Sequence, residues 1–127
     1  MRDQRCCFEA GGEAIEPGIT TAEIDKIIYD FIVRHGARPN FLHLYGFPAT
    51  ACISVNDTVI HGIPNKQQQI RPGDIVSIDT GCKIDGFNGD NACTYACGKI
   101  DLEAQRLLDV TKESLHRGIE MACGGNR

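Results

Sequence analysis

The sequence predicts an α+β fold, an antiparallel sheet backed by helices, and three observations carry that expectation. Thr20-Thr21-Ala22-Glu23 opens an amphipathic helix. Ile75 to about Gly98 reads as two long strands joined at Asp85-Gly86, and Asp101 starts a second helix that runs to about Cys123. The predicted order is helix, strands, hairpin, helix.

In the first helix Thr20 is the N-cap and Glu23, three residues on, completes a capping box. Ile24, Ile27, Ile28, Phe31 and Ile32 recur at helical spacing and form a core stripe, and Gly36 ends the helix. Phe47 to Ile60 is rich in β-branched residues and reads as a strand pair turning near Asn56-Asp57. His61-Gly62-Ile63-Pro64-Asn65 breaks that pattern, and Pro72-Gly73-Asp74 is a turn. In the last helix Asp101 is the cap, and Leu108, Thr111, Leu115 and Ile119 are the expected buried face. At the start of the chain Cys6-Cys7-Phe8-Glu9-Ala10-Gly11-Gly12 is poor helix material, because two adjacent glycines cost a helix up to about 2 kcal/mol relative to alanine.

The hairpin carries the chemistry. With Asp85-Gly86 as a two-residue turn, Ile84 pairs with Phe87 and Asp79 falls opposite Ala92, so Asp90 is its diagonal neighbour on the same face. Backbones at that diagonal are roughly 7–8 Å apart, within reach of a shared cation for both side chains. Two carboxylates so placed raise each other's pKa and destabilise the strand pair unless a counter-charge is present. Ile75, Val76 and Ile78 put apolar side chains on both faces of the first strand, the pattern of a strand buried on both sides, and a buried carboxylate needs a partner. With His61 upstream, Asp79 and Asp90 are the candidates for metal-assisted peptide hydrolysis, and the competing reading of the residues alone is a pair of solvated carboxylates on an exposed strand.

Composition is that of an ordinary globular chain: 127 residues, 42% hydrophobic, 24% charged, without Trp. A net charge of −4, with no Lys/Arg cluster, argues against nucleic acid or an anionic membrane as partner. No apolar run approaches a transmembrane span, and Met1-Arg2-Asp3-Gln4-Arg5 is not followed by a signal-peptide core, so the expected location is cytoplasmic. Seven cysteines, an odd count without Cys-x-x-Cys, read as reduced thiols rather than a disulfide framework or a zinc knuckle. His35, His43 and His116 have no comparable context and read as structural or solvated, His35 being placed to complement the helix C-terminus. A Gly-x-Ser-x-Gly elbow and a phosphate loop are both lacking, which disfavours serine hydrolase and nucleotide-binding chemistry.

The strings Phe47-Pro48-Ala49-Thr50-Ala51-Cys52-Ile53-Ser54-Val55-Asn56-Asp57-Thr58-Val59-Ile60-His61-Gly62-Ile63-Pro64, Pro72-Gly73-Asp74-Ile75-Val76-Ser77-Ile78-Asp79 and Asp85-Gly86-Phe87-Asn88-Gly89-Asp90 resemble, in order and spacing, the type I methionine aminopeptidases. The similarity runs from about Glu13 to Arg127. It implies one half of the pseudo-symmetric pita-bread fold, with residues 1–127 as the N-terminal half of a catalytic domain and residues 1–12 atypical of it.

The resemblance also implies that Asp79 is a ligand to one of two divalent metal ions (Co, Mn, Fe or Zn) and that Asp90 bridges both. His61 would be a substrate-side catalytic histidine, and Cys52 would line the pocket for the substrate methionine. The expected partners are the N-terminal methionine of nascent polypeptides and a missing C-terminal half of the domain. That half would bring a metal-binding His, two metal-binding Glu and a second substrate-side His, none of which has a counterpart among Asp101, Glu103, Asp109, Glu113, His116 and Glu120. The chain alone is therefore expected to be inactive. A non-catalytic peptide- or protein-binding module of the same fold is the competing reading. Within enzymes it is an aminopeptidase or dipeptidase that cleaves before proline, which His-Gly-Ile-Pro and Cys52-Ile53-Ser54-Val55-Asn56 disfavour.

Overall fold

The computed structural model describes residues 9–126. After a helical stretch at residues 9–13, the elements are α1 (Thr21–Arg34), β1 (Arg38–Pro39), a 3-10 turn (Leu44–Gly46), β2 (Ala51–Val55), β3 (Ile75–Ile84), β4 (Phe87–Ala96) and α2 (Leu102–Glu120). All strand pairs are antiparallel. β3 is the central strand, with β1 and β2 paired to it in turn and β4 also paired to it.

α1 begins as its sequence dictates. The Thr20 side chain accepts from the Glu23 N–H at 3.2 Å, and the Glu23 carboxylate accepts from the Thr20 N–H at 2.9 Å. Ile24, Ile28 and Ile32 are fully buried against Ile53, Ile70, Val76 and Ile78, whereas Ile27 lies at the edge of the stripe, 36% exposed. At the other end His35 closes the helix: its Nδ1–H donates to the Phe31 carbonyl at 2.8 Å, its ring stacks on Phe31, and Gly36 takes the left-handed conformation.

The hairpin has the predicted register. Ile84 pairs with Phe87, Asp79 with Ala92 and Gly81 with Asp90. Asp85 and Gly86 both have positive φ, the backbone a two-residue turn between twisted strands requires. β3 is not closed equally on both faces, however. Val76, Ile78, Thr80 and Cys82 are buried, while Ile75, Ser77 and Asp79 on the other face are only half-buried.

Three further expectations need correction. Residues 58–60 do not form a second strand: Val59 and Ile60 are 86% and 66% exposed, and β2 is followed by a turn in which Asn56 has positive φ. In place of strand pairing, the Ile53 N–H donates to the Gly62 carbonyl at 2.9 Å.

Gly11 and Gly12 lie in helical residues 9–13, because packing overrides propensity there. A Cβ on Gly12 would fall 2.3 Å from a Tyr95 ring carbon, and one on Gly11 would lie 3.2 Å from Ile28. The glycines are what let this backbone approach the sheet. The expectation for Cys6, Cys7 and Phe8 lies outside the described residues.

The third correction concerns α2. Asp101 caps it, accepting from the Ala104 N–H at 2.7 Å, but the helix has no buried residue. Leu108 is half-buried, Thr111 is exposed, and Leu115 and Ile119 are 62% and 63% exposed. The apolar stripe exists in the sequence, yet nothing in the described chain covers it.

Candidate metal and peptide site

The register of three strands brings the candidate residues to one sheet face. Cys52 is the direct cross-strand partner of Asp79, and Asp90, two residues before Asp79's partner Ala92, lies diagonally across on the other side. Asp79 is half-buried, Asp90 exposed and Cys52 buried. Cys52 sits in β2, where Ile53 faces the core; strand alternation therefore turns the thiol to the opposite, cleft side.

A cleft of about 480 Å3 opens over this face. Asp79 and Cys52 line it together with His61, Ile63, Tyr45 and Phe47. The wall made by residues 41–48 is apolar and tightly turned, with positive φ at His43, Tyr45 and Gly46. His61 stands exposed at the rim, itself in the left-handed region at φ 57°. Asp90 is on the neighbouring strand beside Asp79 and not among the residues lining the cleft. A larger cleft, between Asn56-Asp57 and the start of α2, holds none of Cys52, His61, Asp79 or Asp90.

Electrostatics tie the group together. Burial pushes the Asp79 carboxyl above its ordinary value, the Asp90 charge pushes it further, and His61 partly opposes both. The Cys52 thiol is likewise raised, first by burial and then by Asp79, Asp25 and Asp90, so it is a neutral wall group rather than a thiolate nucleophile. A cation at the Asp79–Asp90 face relieves this concentration of negative charge. Among the described residues no group of three or more His, Cys, Asp or Glu is gathered to hold a metal. The two Asp thus fit the carboxylate share of a divalent-cation site, not its full ligand shell.

Other residues that build this site are not legible as motifs. Asp25 of α1 accepts from the Thr50 and Ala51 N–H groups at 2.9 and 2.8 Å and so anchors the start of β2. Its carboxyl is raised by burial, against the lowering effect of those two bonds. Thr80, next to Asp79, donates to the Thr50 carbonyl at 3.0 Å and ties β3 to the same point. A carboxylate inside the Ile24–Ile28 stripe was the available signal for Asp25. Of the remaining histidines, His43 begins the 3-10 turn and His116 is exposed on α2.

The chain is 51% identical over 115 residues to a methionine aminopeptidase of Clostridium perfringens, a match covering 91% of this chain and 46% of that protein. To the methionine aminopeptidase of Clostridium acetobutylicum it is 48% identical, with the same coverage. The crystal structure of methionine aminopeptidase from Thermotoga maritima superposes with a TM-score of 0.90 at 32% identity, covering 94% of this chain and 48% of that one. The chain thus spans about half the length of the relatives it matches, and its sheet and helices are half of a pita-bread fold. The model of metallopeptidase family M24 matches residues 3–127, and the chain belongs to that family.

Proposed function

We propose that this chain supplies one half of a methionine aminopeptidase site, in which Asp79 and Asp90 hold divalent metal and His61 and Cys52 receive the N-terminal methionine. The observation that carries the reading is the register that aligns Cys52, Asp79 and Asp90 on one sheet face, with Cys52 and Asp79 lining a cleft together with His61. Asp79 and Asp90 would hold the divalent metal, which when bound would supply Lewis-acid chemistry, activating a water and polarising the scissile carbonyl. The carboxylates orient and charge-balance that centre. His61, which lines the cleft, is the side chain assigned to hydrogen-bond the substrate amide. Cys52, Phe47 and Ile63 give the thioether side chain of methionine an apolar, polarisable surface that excludes water. Five described cysteines are free thiols, which supports a reducing, cytoplasmic location.

The reading is tested by supplying the unmatched part of the Clostridium perfringens relative as a separate polypeptide, with Mn2+ or Co2+, and following methionine release from a Met-Ala peptide. Release that needs both polypeptides and disappears in Asp90→Ala is expected. The absence of a three-ligand group among the described residues favours a second reading, a peptide-binding module. In that case peptide binding is indifferent to metal and survives Asp79→Asn, with no turnover in any combination.

A further inference from the structure

His61 is exposed and stands in a left-handed conformation on a segment without regular structure, yet the backbone around it is clamped. The Gly62 N–H donates to the Ser54 hydroxyl at 3.0 Å, and the Gly62 carbonyl accepts from the Ile53 N–H at 2.9 Å. Gly62 lies so close to β2 that a Cβ there would fall 2.1 Å from the Ile53 carbonyl oxygen. Four residues after His61, Asn65 is held in the same manner against the start of α1. Its N–H donates to the Thr21 hydroxyl at 3.0 Å, that hydroxyl donates to the Asn65 carbonyl at 3.1 Å, and the Ala22 N–H donates to the same carbonyl at 3.2 Å. Ser54 and Thr21 are both buried, 4% and 0% exposed.

A buried serine inside the apolar strand Ala51–Val55 needs a polar partner, and Gly62 is that partner. We infer that Ser54 is a positioning residue: by fixing Gly62 it sets His61 at the rim of the cleft over Asp79, while Thr21 holds the far end of the segment. The inference rests on the proposed metal and peptide site. Ser54 itself touches neither metal nor substrate. Its effect passes through one backbone hydrogen bond, and loss of such a bond shifts the ratio of docked to undocked segment by about fivefold.

The test is nuclear magnetic resonance of the histidine-labelled 127-residue chain, with Mn2+ added as a paramagnetic probe. In the wild type the His61 ring protons broaden and those of His116 on α2 serve as control. Ser54→Ala reduces the His61 broadening and speeds exchange of the Gly62 amide by about fivefold, and Ser54→Thr, which keeps the hydroxyl, restores both. His61 broadening and Gly62 exchange that are unchanged in Ser54→Ala overturn the inference. Should no histidine broaden in the wild type, the metal site itself fails, and positioning is judged on Gly62 exchange in Ser54→Ala alone, where no change overturns it. Should Ser54→Ala not fold, the wild-type Gly62 amide decides: slow exchange upholds the clamp, and exchange at the rate of a free loop amide overturns it.

Discussion

At the scale of single residues, burial and like charge decide which carboxylates cost stability. Asp79 is raised above the ordinary 3.8, so its ionised form is the one the fold penalises. The stability linked to it is fully present below the unfolded value and is lost as pH rises through the raised pKa. At pH 7 the metal-free protein therefore carries the penalty, and Asp90→Asn removes part of it. Urea denaturation in chelator should show the variant more stable by about 0.5 kcal/mol, while Mn2+ stabilises the wild type and not the variant. Equal stabilisation of both by Mn2+ would remove Asp90 from the site. Asp25 is a different case, since its carboxylate is the acceptor for two backbone N–H groups. Asp25→Ala leaves both without a partner and costs about 2 kcal/mol, whereas Asp25→Asn keeps an acceptor oxygen, sheds the desolvated charge and costs under about 1 kcal/mol. Because burial raises Asp25 above 3.8, the Asn variant should also lose less stability than the wild type as pH rises above that value. Denaturation curves at pH 4 and pH 7 check this, and an equal loss in both proteins would contradict it.

At the scale of elements, the same substitution has opposite signs in two helical segments. Gly12→Ala places a methyl 2.3 Å from the Tyr95 ring, and overpacking of about 1–3 kcal/mol outweighs the helix-propensity gain of up to about 1 kcal/mol. In α2 a Cβ at Gly118 meets nothing within 4 Å, so Gly118→Ala should stabilise by about 0.5–1 kcal/mol. Thermal denaturation of the two variants reads both signs. A stabilising Gly12→Ala would mean that residues 9–13 do not pack against β4 as described. The hairpin was legible in advance because a two-residue Asp-Gly turn sets the register and the two-residue period of a strand then fixes which side chains share a face. The strand expected at residues 58–60 was not, because β-propensity reports fitness for a pleated, half-buried surface, and β3 already takes β2's available edge while Gly62 docks on the rest.

At the scale of the whole molecule, the described chain leaves apolar surface without a partner. Leu107, Val110, Leu115 and Ile119 of α2 are each more than half exposed, and Phe87 at the tip of β4 is 78% exposed. Patches of this kind drive association. The purified chain is expected to sediment as more than a monomer at high concentration, and Leu115→Lys with Ile119→Lys should shift it toward monomer without disturbing the hairpin. A concentration-independent monomer in the unsubstituted chain would show that the surface is harmless. The chain spans about half the length of the relatives it matches, and among the described residues nothing covers this helix stripe.

The sequence by itself determined the first helix and its caps, the hairpin register, and hence that Asp79 and Asp90 share a face, because each follows from contacts within a few residues or from a strict two-residue period. Only the tertiary structure decided that Cys52 stands directly opposite Asp79, that Asp25, Ser54 and Thr21 hold β2 and the His61 segment in place, and that Gly11 and Gly12 are helical. Those outcomes depend on which surfaces meet across separations of 8 to 44 residues of chain, or, for the glycines, on how closely a helix can approach the sheet, and local propensity carries no information about either.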